Sequence, residues 1–255
     1  MTVLRAREVT KRFSGIVALD SVDIDVEEGE RVGLIGPNGA GKTTFFNCLL
    51  GLLRTDRGTV ELAGEDVTRL RVHERARRGI GRTFQRIELF GESTVREHLL
   101  IAERVRRGDG RLWKDLIGRG GPSRAELESC NLVLELLGLA DLADEPIERL
   151  SLGQGRLVEV GRALMTEPKL LLLDEPSSGL DRAETSALAD TLQLVQAEQG
   201  FAILLVEHDV ELVASFTTRC YVLDFGRLLT QGPTPEVMKS DEMRTAYLGD
   251  LAQVP

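Results

Sequence analysis

The stretch Gly36-Pro37-Asn38-Gly39-Ala40-Gly41-Lys42-Thr43 decides the fold. It matches G-x-x-x-x-G-K-[ST] and falls where that pattern has mechanical meaning, between a strand and a helix. Before it, Arg31-Val32-Gly33-Leu34-Ile35 is an apolar run of strand length. After it, residues 43–53 have a helical pattern. The glycines let backbone N–H groups curl around phosphate oxygens, and the helix start adds the positive end of its dipole. In this geometry Lys42 neutralises the β- and γ-phosphates of a nucleotide and Thr43 ligates Mg²⁺.

A second site lies far along the chain, at Leu170-Leu171-Leu172-Leu173-Asp174-Glu175-Pro176. A buried strand that ends in two carboxylates is costly unless they meet a cation or a proton. Asp174 suits Mg²⁺, usually through water, and Glu175 suits polarising the water that attacks a phosphate.

The segments around these sites read as an α/β chain. Residues 22–26 alternate as a half-buried strand does, within a first stretch of short strands broken by turns. Residues 59–62 form another short strand, with turns at 28–30 and 63–65. From about Thr94 the texture becomes helical, over 94–107 and 123–137, and Ser123 with Glu126 has capping-box spacing. Between these helices, residues 108–122 are rich in glycine and arginine. Alternation returns after Leu150, with helices over 153–165, 182–198 and 210–215. Strands fall at 170–173 and 201–206, and 220–223 pairs with 227–230 around Phe225-Gly226. This order predicts a mostly parallel sheet with both faces covered. The expected division is a nucleotide-binding core with a β subdomain (1–85 and 150–232), a helical subdomain (86–149) and a C-terminal helical extension (233–255).

Composition narrows the function classes. The chain has 255 residues, 42% hydrophobic and 29% charged, as a globular domain does. Its net charge of −9 argues against nucleic-acid binding. No apolar run approaches the roughly 20 residues that span a bilayer, and Met1-Thr2-Val3-Leu4-Arg5 carries no apolar signal region. Any membrane role is therefore expected through a partner. The three cysteines, Cys48, Cys130 and Cys220, lie far apart with no metal-ligand spacing. They read as small core residues in a reducing cytosol.

Further motifs follow in an order that makes a resemblance specific. These are Arg82-Thr83-Phe84-Gln85, Leu150-Ser151-Leu152-Gly153-Gln154, Ser178-Gly179-Leu180-Asp181 and Glu207-His208-Asp209. Together with the two sites above, they make the chain resemble an ATP-binding-cassette (ABC) transporter nucleotide-binding subunit across nearly its whole length. The resemblance implies a P-loop α/β ATPase with an antiparallel β subdomain and a helical subdomain. Its implied cofactors are ATP and Mg²⁺.

The resemblance also implies roles. Gly36 to Lys42 with Thr43 and Thr44 hold the phosphates, and Phe13 stacks on adenine. Thr43, Gln85 and Asp174 serve the metal. Glu175, His208 and Gln85 serve hydrolysis. Ser151, Gly153, Gln154 and Asp181 complete the nucleotide site of a second cassette in a head-to-tail dimer, identical or not. Physical chemistry agrees: Ser151 can cap a helix whose start binds an anion, and His208 follows a buried strand and can donate to a phosphate oxygen.

Two positions depart from the family pattern. Leu152 stands where glycine is commonest, and Gly155 where Gln, Arg or Lys is usual. Gly155 is expected to weaken its helix by about 0.5–1 kcal/mol relative to Ala.

The 36–48 and 82–90 segments and the ending Ala246-Tyr247-Leu248-Gly249-Asp250 resemble the branched-chain and hydrophobic amino-acid importers, as does an arginine-rich insertion over 104–124. The resemblance implies membrane permease subunits, a second cassette and, indirectly, a substrate-binding protein as partners, with the chain peripheral on the cytoplasmic face of the inner (plasma) membrane. Lipopolysaccharide-type export and a soluble iron–sulfur assembly role are the alternatives. Residues 85–94 are expected to dock the permease. The insertion over 104–124, with its basic amphipathic stretch around Trp113, is expected to lie near the membrane face or the permease.

Overall fold

The computed structural model describes residues 1–83, 92–107 and 121–251. Gln85, residues 86–90 and the insertion around Trp113 lie outside the described residues, as do residues 84, 91 and 252–255.

The chain opens with a long hairpin, β1 (Thr2–Phe13) and β2 (Ile16–Glu27). Strands β4 (Arg57–Leu62) and β5 (Glu65–Asp66) join it in an antiparallel sheet of order β2-β1-β4-β5. The predicted short strands are therefore two strands of 12 residues each. Their alternation is broken because the β1–β2 register shifts at several points and Glu8 and Ser21 take positive φ, at 51° and 54°.

The second sheet has the order β10-β9-β3-β8-β7-β6. Its members are β3 (Arg31–Ile35), β6 (Ile80–Arg82), β7 (Leu170–Asp174), β8 (Ala202–Val206), β9 (Arg219–Asp224) and β10 (Arg227–Pro233). All neighbours are parallel except β9 and β10. Leu171, Leu173, Ile203 and Leu205 face one hydrophobic cluster, while Leu170, Leu172, Leu204 and Val206 face the other. Both faces are thus buried, which is why these strands read as continuous apolar runs.

One face is covered by the antiparallel sheet and by α1 (Lys42–Leu50) through Phe45, Phe46 and Leu49. The other meets α3 (Val95–Arg107), α4 (Arg124–Leu136), α5 (Leu152–Leu164), α6 (Arg182–Gln199) and α7 (Val210–Phe216). Short helices α2 (Val72–Arg77) and α8 (Thr234–Val237) and the terminal α9 (Asp241–Leu251) complete the described elements, with single 3-10 turns at Ala140–Leu142 and Ile147–Arg149.

Helix ends follow local chemistry. Ser123 accepts from the Glu126 amide at 3.2 Å and its own N–H donates to the Glu126 carboxylate at 2.6 Å, as the spacing predicted. Helix α1 stops at Gly51 and α6 at Gly200, whose φ values of 78° and 76° favour glycine. Cys48, Cys130 and Cys220 are buried free thiols. No described helix is long and apolar enough to cross a membrane.

Candidate active site

The parallel register delivers three loops to one edge. Leu34 of β3 pairs with Val206 of β8, and Val206 pairs with Asp174 of β7. The chain therefore leaves three adjacent strands at the same level, and the segments beginning at Gly36, Glu175 and Glu207 share the carboxyl end of the sheet, where ligands bind in such folds.

The glycine loop is shaped by its glycines. A Cβ on Gly36 would lie 2.0 Å from the Leu223 carbonyl oxygen, and one on Gly41 would lie 2.7 Å from that of Ala18. Both sit at positive φ, so the loop approaches neighbouring backbone as no other residue could. Lys42 Nζ donates to the carbonyls of Gly36 at 2.6 Å and Pro37 at 3.0 Å. Burial pushes the Lys42 ammonium below its ordinary range, and the charges of Glu175, Asp174 and Glu207 oppose that shift. Thr43 is exposed at the start of α1, and Thr44 is half-buried. Phe13, at the tip of the hairpin, is 41% exposed, with Lys11 Nζ 5.4 Å from its ring centre.

Asp174 is buried at the end of β7. Burial pushes its carboxyl above the ordinary range, the Arg82 guanidinium at 3.7 Å pulls it back, and Glu175 and Glu207 push it further up. Glu175 turns out of the strand at φ 47°, its N–H donating to the Val206 carbonyl at 2.9 Å. For a residue other than glycine this conformation costs about 1–2 kcal/mol, and such positions cluster at functional sites. His208 Nδ1 lies 3.8 Å from Glu175 Oε1 and 3.8 Å from Glu207 Oε2. Asp209 caps α7 through the amides of Glu211 and Leu212.

A second group forms around the start of α5. Ser151 Oγ accepts from the Gln154 amide at 3.2 Å while the Ser151 amide donates to the Gln154 side chain at 2.9 Å. A Cβ on Gly153 would lie 3.4 Å from Glu184, and the Leu152 side chain sits against Gly179. Arg156 Nη2 donates to the Ser178 carbonyl at 3.2 Å. The helix start is thereby joined to residues 177–184, where Asp181 caps α6. Leu152 is accommodated because Gly179 has no side chain, and α5 forms from Leu152 onward with Gly155 buried in it.

Three contributors were not assigned roles from the sequence. Arg82 pairs with Asp174, Ser177 bonds Glu207, and Glu207 is fully buried. The signal for Glu207 was present: it extends an apolar strand with a carboxylate, as Asp174 does.

The arrangement brings a glycine loop, paired carboxylates and a histidine to one sheet edge, the chemistry a nucleotide hydrolase needs. The ABC transporter family profile matches residues 19–178, and the chain belongs to that family as an ATP-hydrolysing subunit. It is 37% identical to the high-affinity branched-chain amino acid transport ATP-binding protein BraF of Pseudomonas aeruginosa, covering 97% of this chain and 98% of that one. It is 32% identical to the lipopolysaccharide export system ATP-binding protein LptB of Haemophilus influenzae, over 98% of both chains. The ADP conformation of MJ1267, an ATP-binding cassette of an ABC transporter, superposes with a TM-score of 0.86 at 32% identity, covering 98% of this chain and 99% of that one.

Proposed function

We propose that this subunit binds Mg-ATP between its own glycine loop and the Ser151 helix start of a second cassette, and that hydrolysis drives a permease importing branched-chain or other hydrophobic amino acids. The observation that carries the ATPase chemistry is the convergence of Lys42, Asp174, Glu175 and His208 at one sheet edge. Lys42 takes the β- and γ-phosphates, Glu175 orients the attacking water, and His208 and Gln85 meet the γ-phosphate side. Phe13 offers an exposed ring for adenine.

The residues fit Mg²⁺. Asp174 is a buried carboxylate whose charge burial disfavours, so a cation beside it relieves a cost already present. Among the described residues no cluster of three or more acidic, His or Cys side chains could cage a metal. That suits Mg²⁺, which is held through one or two protein oxygens, phosphates and waters. When bound, it neutralises charge on the phosphates; Thr43 and Asp174 hold it.

Two helix starts that can bind anions occur in one chain, at α1 and α5, and one γ-phosphate is fully neutralised by both. Hence the head-to-tail dimer, in which Gln154 and Asp181 support the partner's nucleotide. For the permease, an apolar groove of about 320 Å³ lined by Leu50, Leu52, Val72, Ile80 and Ile101 offers a docking surface between the core and α3. Docking there would place the subunit on the cytoplasmic face of the membrane, with 86–149 as the helical part.

Amino-acid import rests on the full-length likeness to BraF; the lower identity to LptB supports export less. Two measurements test the reading. Specific ATPase activity of the isolated chain should rise with its concentration, and a full rate independent of concentration would rule out the composite site. Cells lacking the subunit should lose uptake of labelled leucine; unchanged leucine uptake with a lipopolysaccharide transport defect would favour export.

A further inference from the structure

We propose that Glu207 is a positioning residue for ATP hydrolysis, its carboxylate fixing the loop that carries Glu175 to the loop that carries His208. The inference rests on the reading that Glu175 and His208 act at the γ-phosphate.

Glu207 has no solvent exposure, and its two oxygens divide their work. Oε1 accepts from the Ser177 amide at 3.1 Å and from the Ser177 hydroxyl at 2.6 Å. Oε2 accepts from the amides of His208 at 3.1 Å and Asp209 at 3.4 Å. Ser177 follows Glu175 by two residues, and His208 follows Glu207 directly. The last backbone bond joining the two segments is from the Glu175 amide to the Val206 carbonyl. Beyond it, where the catalytic side chains depart, the Glu207 carboxylate continues the connection.

The choice of a carboxylate follows from the donors. Each of the four hydrogen bonds to it comes from an N–H or O–H, so the site wants an acceptor at both oxygens. A glutamine of the same shape would turn its NH₂ against Ser177 or against the His208 and Asp209 amides. One loop would lose its tether while the volume stayed filled. A buried polar group is costly unless it is hydrogen-bonded, and here both carboxylate oxygens are. The imidazole gives the arrangement its consequence: His208 Nδ1 stands 3.8 Å from both Glu175 and Glu207, so a shift of either loop changes the catalytic pair.

The experiment is a cycle of wild type, Glu207→Gln, His208→Ala and the double variant, with kcat, KM for ATP, fluorescent-nucleotide Kd and melting temperature measured on each. Glu207→Gln is expected to lower kcat by about 10–100-fold, with KM and Kd within about twofold of wild type. Its effect should be clearly smaller in the His208→Ala background, where only the placement of Glu175 is left to disturb, because a residue that acts through others is not additive with them. Ser177→Ala, which removes only the hydroxyl donor, should lower kcat less and in the same direction. It supplies the answer if Glu207→Gln fails to fold. An equal fold-loss in both backgrounds, or a raised KM with unchanged kcat, would overturn the inference and leave Glu207 as a brace of the fold. If His208→Ala hydrolysed ATP at the wild-type rate, the catalytic reading itself would fail, and this inference with it.

Discussion

His208 Nδ1 stands 3.8 Å from Glu175 Oε1, too far for a direct hydrogen bond and close enough for both to address one small group between them. The two side chains come from loops that leave neighbouring parallel strands, in register through the Asp174–Val206 pair. Their spacing is therefore set by the sheet. Replacing His208 by Ala should leave nucleotide affinity within about threefold and lower kcat by about 10²-fold, measured by steady-state phosphate release alongside nucleotide titration. A loss of affinity with preserved turnover would place His208 in binding instead.

Asp174 carries a stability cost in the nucleotide-free protein. Its carboxyl is buried, and burial outweighs the pull of Arg82. Asp174→Asn keeps the shape and removes the charge, so it should melt higher than wild type near neutral pH, by about 2–4 °C for each kcal/mol relieved in a chain of this size. The same substitution should reduce the further rise that wild type gains on adding Mg-ATP. Thermal melts with and without Mg-ATP check both halves. A lower melting point in the free protein would mean that the Arg82 pairing outweighs the burial.

The buried thiols give a pH dependence with a definite sign. Burial pushes Cys48 up to about 11 and Cys220 up to about 11 from an ordinary thiol value near 9. Between those values the unfolded chain releases thiol protons that the folded chain retains. The unfolded state then binds fewer protons, so these thiols make stability fall as pH rises through this window. Urea midpoints measured from pH 8 to 10.5 should decline more steeply for wild type than for a Cys48→Ala, Cys220→Ala variant. A thiol reagent at pH 8 should label none of the three cysteines until urea is added. Rapid labelling of native protein would contradict their burial.

The legibility of the sequence varied with length scale. The glycine loop and the Leu170–Asp174 strand were readable because each binds chemistry to a fixed local spacing. The caps at Ser123 and Ser151 were readable because they work within four residues, whereas the capping box of Asp181 came only with the structure. The long hairpin was harder, because positive φ at Glu8 and Ser21 and slips in register interrupt its alternation. Helix α2 and strand β6, of six and three residues, are too short to show a period. The bonds of Glu207 to Ser177 and of Arg156 to Ser178 join residues 30 and 22 positions apart, which no local pattern records.

The central claim is that Lys42 binds the nucleotide and Glu175 directs the attack of water on it. Single-turnover hydrolysis of bound Mg-ATP, measured side by side for wild type, Glu175→Gln and Lys42→Ala, tests it most directly. Glu175→Gln should bind ATP about as well as wild type and hydrolyse it about 10²–10⁴-fold more slowly, because its interaction matters in the transition state and little in the ground state. Lys42→Ala should bind ATP poorly. Wild-type turnover in Glu175→Gln, or undiminished ATP binding in Lys42→Ala, would contradict the account.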